Sequence, residues 1–211
     1  MARIRGIDTP MHDSPNFTQG ATGGRAAALQ ADLGSIFAHR PAHAAAAAAV
    51  YETIQHEGTL GERLVELLRL RIAFHNQCRT CMAMRYSTQV TDDGLVCSLE
   101  RPQESPDLTE RERAALRFAD LFASDHLSID DTTYNGLRAF FDEGELVELG
   151  IVCAYSVGFG RLAATWHVVD NLPEGFQGGN VAPAAVTPWG QPESIDATGR
   201  IGDDRQPAAA T

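Results

Sequence analysis

The sequence predicts an all-α protein. Two strongly helix-favouring runs stand in the first half of the chain, an alanine-rich one at 43–54 and a leucine-rich one at 62–74. Residues 109–112, Thr-Glu-Arg-Glu, have the spacing of a capping box ahead of an amphipathic run. Nowhere do four or more residues alternate between apolar and polar within turn signals, as a half-buried strand would. We therefore expect helices throughout and no sheet.

Composition and charge limit the partners. The 211 residues are 44% hydrophobic and 21% charged, which is typical of a globular chain that can bury a full core. The net charge of -11 disfavours nucleic acid and an anionic membrane, because both attract basic surfaces. The first residues do not resemble a signal peptide, and no stretch of about 18 apolar residues occurs. We expect a cytoplasmic protein that binds neither nucleic acid nor membrane.

The chain divides into an arm, a domain and a tail. Residues 1–24 are rich in Pro, Gly, Asn and Asp and predict an extended arm. The helical domain is expected over 25–170, with one helix that begins near Arg25 and another at Pro41, which suits a first helical turn. Residues 171–211 hold five of the ten prolines. This Pro/Gly/Ala-rich tail is expected to be coil that wraps a neighbouring surface or is disordered.

The helix predicted over 62–74 carries the first chemical signal. Its apolar residues cover nearly the whole circumference at about 100° per residue, so the helix is expected to be buried on most sides. Glu66 lies within it, and a buried carboxylate requires a partner or a function. We expect a structural ion pair with Arg69 or Arg85, or a role in orienting or accepting a proton from a reactive thiol.

A Cys-x-x-Cys pair follows directly. Asn76 is an acceptable N-cap for a helix that starts at Cys78 and Cys81 and continues to Val90. Thiols at a helix N-terminus have a lowered pKa, so one thiolate can attack a disulfide or peroxide while the other resolves the product. Two arginines add positive charge nearby, Arg79 and Arg85.

Other roles stay open for these residues. Cys-x-x-Cys is half of a structural zinc site, and His75 precedes Cys78 by three residues, but no second close pair supplies the remaining ligands. The isolated candidates are Cys97, Cys153 and His167. The close pair could also be inert thiols packed as small apolar groups. His75 is either a local base or a helix-end residue, and His167 is either functional or a satisfied core histidine.

The second half of the domain contains an internal similarity. After the helix capped at Thr109, another is expected to start at Ser128, and a long apolar segment closes the domain. Residues 63–67, Arg-Leu-Val-Glu-Leu, resemble 145–149, Glu-Leu-Val-Glu-Leu. The match is either chance or an internal helix-pair repeat, and a repeat would place a helix break at 157–160.

Taken together, Glu66, eleven intervening residues and Cys78-Arg-Thr-Cys81 resemble a motif of the carboxymuconolactone decarboxylase-like proteins, in their alkylhydroperoxidase D-like branch. Residues 108–120 and 141–149 are similar to the family's following helices, and the resemblance covers roughly residues 40–170. It implies a compact helical bundle that assembles into trimers or hexamers, with the active site in a partly buried pocket near a subunit boundary.

The resemblance also implies a chemistry. Family members of this branch reduce hydroperoxides or exchange disulfides without a cofactor, with electrons from a dithiol or a donor protein. In them the residue matching Cys81 attacks the peroxide, the one matching Cys78 resolves the product, and the one matching Glu66 acts through a histidine. This chain has Arg85 at the position of that histidine, and arginine cannot act as a base at neutral pH. Arg85 is instead expected to pair with Glu66 and to stabilise the Cys81 thiolate from one helical turn away.

The leading hypothesis is a thiol oxidoreductase whose site consists of Cys81, Cys78, Glu66 and Arg85, with no metal or cofactor. One alternative is a non-catalytic or redox-sensing oligomer in which the pair of Arg85 and Glu66 is structural. Another is a decarboxylase-like lyase or an isomerase that uses the same pocket and for which the cysteines are incidental.

Overall fold

The computed structural model describes residues 2–7, 24–87, 89–90 and 93–177. Within these ranges the chain is helical and contains no β-strand, which confirms the all-α class. The helices in chain order are α1 (Gly24–Phe37), α2 (Pro41–His56), α3 (Glu62–His75), α4 (Arg79–Ala83), α5 (Asp93–Ser98), α6 (Glu110–Ser124), α7 (Asp131–Leu137), α8 (Glu143–Trp166) and α9 (Glu174–Gln177). A 3₁₀ turn, His126–Ser128, lies between α6 and α7.

The central helix of the bundle is α3. It packs mainly against α6 and α8, with further contacts to α4 and α2. Its fully buried side chains are Leu67, Leu68, Leu70 and Ile72. A helix that is apolar all round needs neighbours on every face, and these four helices supply them. The expected burial of this helix is confirmed.

Several predicted helix starts are confirmed, since the signals for them are local. The first helix begins at Gly24, and Pro41 occupies the first turn of α2. The capping box at the start of α6 is formed in both directions, because the Glu112 N–H donates to Thr109 Oγ1 at 3.2 Å and the Thr109 N–H donates to Glu112 Oε2 at 2.8 Å. The start of α7 is capped by Asp130, close to the predicted position.

The longest helix, α8, begins at a second capping box formed by Asp142 and Glu145. Its 24 residues include an 18-residue window with a mean hydropathy of 1.5, so by length and composition the helix would suffice to cross a membrane. In this fold it packs on α3, α6, α4 and α2. It continues without a break through 157–160, so the helix break expected from an internal repeat does not occur. Gly160 permits the close approach of α3, because a Cβ there would lie 2.4 Å from Asn76 Nδ2.

The helix predicted from Cys78 to Val90 is wrong in length. Helix α4 has five residues, and Met84 after it is extended, with φ -84° and ψ 142°. The cause lies in α3, because Arg69 Nη2 donates to Met84 O at 2.7 Å and the Tyr86 N–H donates to Glu66 Oε1 at 3.0 Å. Backbone groups satisfied by these side chains no longer require a continuing helix.

Two further boundaries differ from the sequence prediction. Asn76, the predicted N-cap, instead ends α3 as its C-cap, and Cys78 is the N-cap of α4. Helix α5 begins at Asp93, in a stretch for which no separate helix was predicted. Because α4 ends at Ala83, the chain has room for the separate helix α5 before the connector that contains Pro102 and Pro106.

The described parts of the arm and tail pack on the domain. The Arg3 N–H donates to Trp166 O at 2.8 Å, and the Ile7 N–H donates to Ser35 O at 3.2 Å. Residues 171–177, which the sequence assigns to the tail, include α9, and Leu172 and Phe176 are fully buried there. The remainder of the predicted arm and tail lies outside the described residues.

Candidate functional site

The two cysteines of the close pair form a disulfide bond and differ in accessibility. Their Cα atoms are 5.2 Å apart. Cys78 is fully buried, and its Sγ accepts a hydrogen bond from the Cys81 N–H at 3.2 Å. Cys81 is partly exposed and lines a cavity to which Cys78 does not contribute. An incoming molecule would therefore reach Cys81 first.

Two side chains of helix α4 bind backbone carbonyl groups of a later segment of the chain, residues 168–177. Thr80 Oγ1 donates to Val168 O at 3.0 Å, and Arg79 Nη1 donates to Gln177 O. The residue before Cys78 is Gln77, whose φ of 50° places it in the left-handed region that disfavours a side chain. The cysteine pair is thus fixed between a strained residue and the packed segment 168–177.

A buried ion pair on α3 lies behind the cysteines. Arg69 Nε donates to Glu66 Oε2 at 2.6 Å, and Arg69 Nη2 donates to Glu66 Oε1 at 2.7 Å, a bidentate pair. Arg69 Nη1 also donates to Cys81 O at 2.7 Å. The side chains of Glu66 and Arg69 are 2% and 9% exposed, respectively. We call Glu66 and Arg69 the buried pair; it connects α3 directly to the backbone of Cys81.

The buried pair keeps its arginine charged. Burial by itself lowers the pKa of Arg69, but the charge and hydrogen bonds of Glu66 outweigh it, and the pKa lies above its ordinary value. The guanidinium carbon also lies 4.4 Å from the centre of the Tyr86 ring, a cation–π contact. Burial raises the pKa of Tyr86, so this phenol stays neutral.

The cavity beside Cys81 has a volume of about 120 Å³ and walls that are mainly aromatic. Five aromatic side chains line it: Phe37, Tyr51, Tyr86, Tyr155 and Phe159. Leu33, Ala73 and Ala163 add apolar surface, and Arg69 is the charged side chain among the described residues that line it. Burial raises the pKa of Tyr51 and of Tyr155, so these hydroxyls are also neutral.

Arg85 does not occupy the position that the sequence suggests. Its Nη1 donates to Met82 O at 2.6 Å and to Met84 O at 3.1 Å, and the residue is 3% exposed. The partner of Glu66 is Arg69, so the pair of Arg85 and Glu66 is not formed. Because α4 ends at Ala83, Arg85 is also not one helical turn beyond Cys81 on a common helix, and it does not line the cavity.

His75 belongs to a separate ionic cluster. Its Nε2 lies 2.7 Å from Asp120 Oδ1, and Arg71 Nε donates to the same oxygen at 2.6 Å. We call Arg71, His75 and Asp120 the outer cluster; none of the three lines the cavity. His75 is therefore the helix-end residue of the two alternatives.

The other isolated candidates are also placed apart from the pair. His167 ends α8 in the left-handed conformation, with φ 56° and ψ 47°, and burial followed by the charge of Arg3 lowers its pKa. Cys97 is exposed, whereas burial raises the pKa of the Cys153 thiol to about 12. Across the described ranges, no three His, Cys, Asp or Glu side chains come together as a metal-binding group.

Sequence reasoning missed the aromatic cavity and the position of Arg69 in it. A usable signal was present in α8, where Tyr155 and Phe159 are four residues apart and therefore share one face. Small residues at Gly160 and Ala163 lie beside them and leave space. Large rings next to small residues on one face of an apolar helix indicate a cavity as well as a core.

No protein-family model matches the chain, and no curated protein matches it. Solved structures do. An Agrobacterium tumefaciens protein of unknown function, a candidate antioxidant defence protein AhpD, is 24% identical over 62% of this chain and 91% of its own, with a TM-score of 0.56. An uncharacterized peroxidase-related protein from Ralstonia eutropha, an alkylhydroperoxidase AhpD core, is 19% identical over 69% and 78%, with a TM-score of 0.51.

A third neighbour, an uncharacterized peroxidase-related protein from a Silicibacter species, is 17% identical over 82% of this chain and 94% of its own, with a TM-score of 0.56. At these identities the likeness is one of fold. It confirms at that level the resemblance carried by Glu66 and the cysteine spacing. The chain therefore has the all-α fold of the AhpD-like, peroxidase-related proteins.

Proposed function

We propose that this protein is a cofactor-free thiol oxidoreductase that reduces hydroperoxides through Cys81 and Cys78. The observation that carries the proposal is the asymmetry of the disulfide-forming pair, with Cys81 at a cavity and Cys78 fully buried behind it. The names of the structural neighbours, which refer to antioxidant defence and peroxidases, agree with this chemistry.

The reaction begins with both cysteines reduced. The Cys81 thiolate attacks one peroxide oxygen, so that an S–O bond forms and the O–O bond breaks. The leaving alkoxide takes a proton and departs as an alcohol, and Cys81 becomes a sulfenic acid. The Cys78 sulfur then attacks the Cys81 sulfur, an S–S bond forms, and the sulfenic oxygen leaves as water. An external dithiol or donor protein returns the disulfide to two thiols.

Arg69, in place of Arg85, is proposed to hold Cys81 in position for attack. Its guanidinium lines the same cavity as Cys81 and holds the Cys81 carbonyl oxygen. Glu66 positions Arg69 through two hydrogen bonds and so acts on the thiol indirectly. Arg85 is proposed to fix the end of α4, because it binds the carbonyl oxygens of Met82 and Met84.

The test is hydroperoxide consumption with dithiothreitol as reductant. The parent should turn over, and Cys81→Ser should abolish turnover because the attacking sulfur is absent. Cys78→Ser that is first reduced and then freed of dithiothreitol should consume a single equivalent of hydroperoxide and accumulate a sulfenic acid that a dimedone probe detects. Cys97→Ser, which removes an exposed cysteine outside the pair, is the matched control. A fully reduced parent that consumes no hydroperoxide would refute the proposal.

A redox sensor without turnover is the second candidate. The contacts of Thr80 and Arg79 with the segment 168–177 favour it, because a change of state in the cysteine pair would act on that packing. Hydrogen exchange of residues 168–177, compared between the oxidised and reduced protein, tests this alternative. Equal exchange in both states would contradict it.

We also propose that the protein self-associates as a trimer or hexamer, through the outer face of α8. Val147, Ile151 and Leu162 are 64%, 48% and 41% exposed on that face, an apolar stripe that water disfavours. Ile151→Glu should lower the molar mass found by sedimentation equilibrium. Leu127→Glu, at an 86% exposed position in the 3₁₀ turn, is the control that should leave the mass unchanged.

We also propose a cytoplasmic location, because reducing thiols are abundant there and the proposed reaction requires a thiol reductant.

A further inference from the structure

The cavity beside Cys81 has the size of a single aromatic ring. Its volume is about 120 Å³, and a dry apolar cavity of about 150 Å³ is known to bind benzene. Leu33, Ala73 and Ala163 contribute surface without any polar group. A guest of this size would contact mainly apolar surface, and the gain on binding would come from removing its own apolar surface from water.

The walls favour a flat ring over a saturated one. The rings of Tyr155 and Phe159 are stacked with centroids 4.5 Å apart, and Tyr51 lies 5.7 Å from Tyr155 at a tilt of 30°. Tyr86 meets Tyr51 edge to face at 5.8 Å. All four rings line the cavity, so a guest meets aromatic surface. Aromatic pairs at such spacings gain attraction beyond their burial of apolar surface.

The charge of the lining excludes an ionic guest. Arg69 is the charged side chain among the described lining residues, and Glu66 neutralises it through the bidentate contact. A carboxylate would lose hydration without finding an uncompensated cation, and an ammonium would lie beside a guanidinium. A neutral molecule avoids both costs.

One donor on Arg69 is left for a guest. A guanidinium has five N–H groups, and four of them reach Glu66 Oε1, Glu66 Oε2, Met84 O and Cys81 O. The second hydrogen of Nη1 has no acceptor within the described parts of the chain. Since Arg69 and Cys81 line the same cavity, this hydrogen is the one guanidinium donor that an oxygen atom on a guest can use.

We infer that this cavity binds a neutral molecule with one aromatic ring and an oxygen-bearing substituent, with the ring packed against Tyr51, Tyr155 and Phe159 and the oxygen at Arg69 Nη1. The second part of the inference rests on the proposed function: the hydroperoxides reduced at Cys81 carry an aromatic ring next to the O–O bond, and the aryl-substituted alcohol leaves as product. The binding part does not depend on turnover.

The test uses benzyl alcohol as the probe and calorimetry as the measurement, on the oxidised parent and on the doubly substituted Cys78→Ser/Cys81→Ser protein. Benzyl alcohol should saturate one site in both. Cyclohexylmethanol, benzoate and benzylammonium should each bind at least about tenfold more weakly, because they lack the ring or carry a charge. Absence of saturable binding, or equal binding of any of the three, overturns the inference.

A variant pair tests the location. Ala163→Leu fills the cavity and should weaken benzyl alcohol binding at least about tenfold, since the ring then has no space. Ala154→Leu, on the exposed side of the same helix, should bind as the parent does. Unchanged binding in Ala163→Leu overturns the inference. If that variant fails to fold, Phe159→Ala replaces it and should accept 2-naphthylmethanol, which the parent should reject; rejection by both overturns the inference.

The two proposals fail separately. Binding of benzyl alcohol to the doubly substituted protein, together with a parent that consumes no hydroperoxide, leaves the aromatic site standing and removes the peroxidase proposal. Turnover of tert-butyl hydroperoxide by a parent that does not bind benzyl alcohol leaves the peroxidase proposal standing and removes the aromatic site.

Discussion

Two of the ionic groups on α3, the buried pair and the outer cluster, differ in their surroundings. The buried pair, Glu66 and Arg69, is almost completely enclosed and binds the backbone of Cys81. The outer cluster has side chains that are 13%, 20% and 27% exposed for Arg71, His75 and Asp120, and it joins α3 to α6. One cluster backs a cavity, whereas the other fastens two helices together near the surface.

The difference shows that closeness in sequence is a poor guide to closeness in space on a helix. His75 precedes Cys78 by three residues yet belongs to the outer cluster, whereas Arg69 precedes it by nine and reaches Cys81. At about 100° per residue, Arg69 and His75 point about 120° apart around the helix axis. The side of α3 that a residue occupies therefore decides which cluster it joins.

The largest effect on stability is expected when the buried pair is broken. Arg69→Met leaves the Glu66 carboxylate buried without its cation, which should lower the free energy of unfolding by about 3–5 kcal/mol. His75→Gln in the outer cluster, where a side-chain N–H can still reach Asp120, should cost on the order of 1 kcal/mol. Urea denaturation at pH 7 measures both.

A third variant separates burial of charge from loss of packing. In Glu66→Leu/Arg69→Met neither charge remains, so the part of the loss that comes from the uncompensated carboxylate should return. The part that comes from the backbone groups of Cys81, Met84 and Tyr86, which lose their side-chain partners, should not return. The comparison between the two clusters fails if His75→Gln destabilises as much as Arg69→Met does. It also fails if the double substitution is no more stable than the single one.

The outer cluster should show its own pH dependence. Burial raises the pKa of Asp120, but the hydrogen bonds from His75 and Arg71 outweigh it, and the pKa lies below its ordinary value. The stability from this shift is complete above the unfolded pKa of about 3.9 and is lost as the pH falls through the lower folded pKa. The advantage of the parent over Asp120→Asn in urea unfolding should therefore be constant near neutral pH and shrink in acid. A constant advantage down to pH values well below the unfolded pKa would contradict the assignment.

The smallest expected effect is at Gln77, between the outer cluster and Cys78. Its φ of 50° is strained for a residue with a Cβ. Its side chain donates to Phe74 O at 2.8 Å, and either small residue loses that bond. Gln77→Gly relieves the strain and Gln77→Ala keeps it, so the glycine variant should be more stable by about 1 kcal/mol. Thermal unfolding of the two variants measures this, and equal stability would show that the backbone is not strained there.

Prediction from sequence succeeded where the signal was local. The capping box of Thr109 and Glu112, the first-turn position of Pro41 and the burial of α3 all follow from neighbouring residues. It failed at α4, where the residues up to Val90 have no strong helix breaker of their own. Side chains of the preceding helix take the backbone groups there, and no window around α4 contains that information.

The amino-acid sequence by itself determined the all-α class, the order of the main helices and the spacing of Glu66, Cys78 and Cys81, because periodicity, caps and motif spacing act over a few residues. Only the tertiary structure decided that Glu66 pairs with Arg69 and not with Arg85, that Cys81 and not Cys78 faces a cavity, and that the cavity is aromatic. Those outcomes depend on which faces of α2, α3 and α8 meet, and that is settled by packing between elements far apart in the chain.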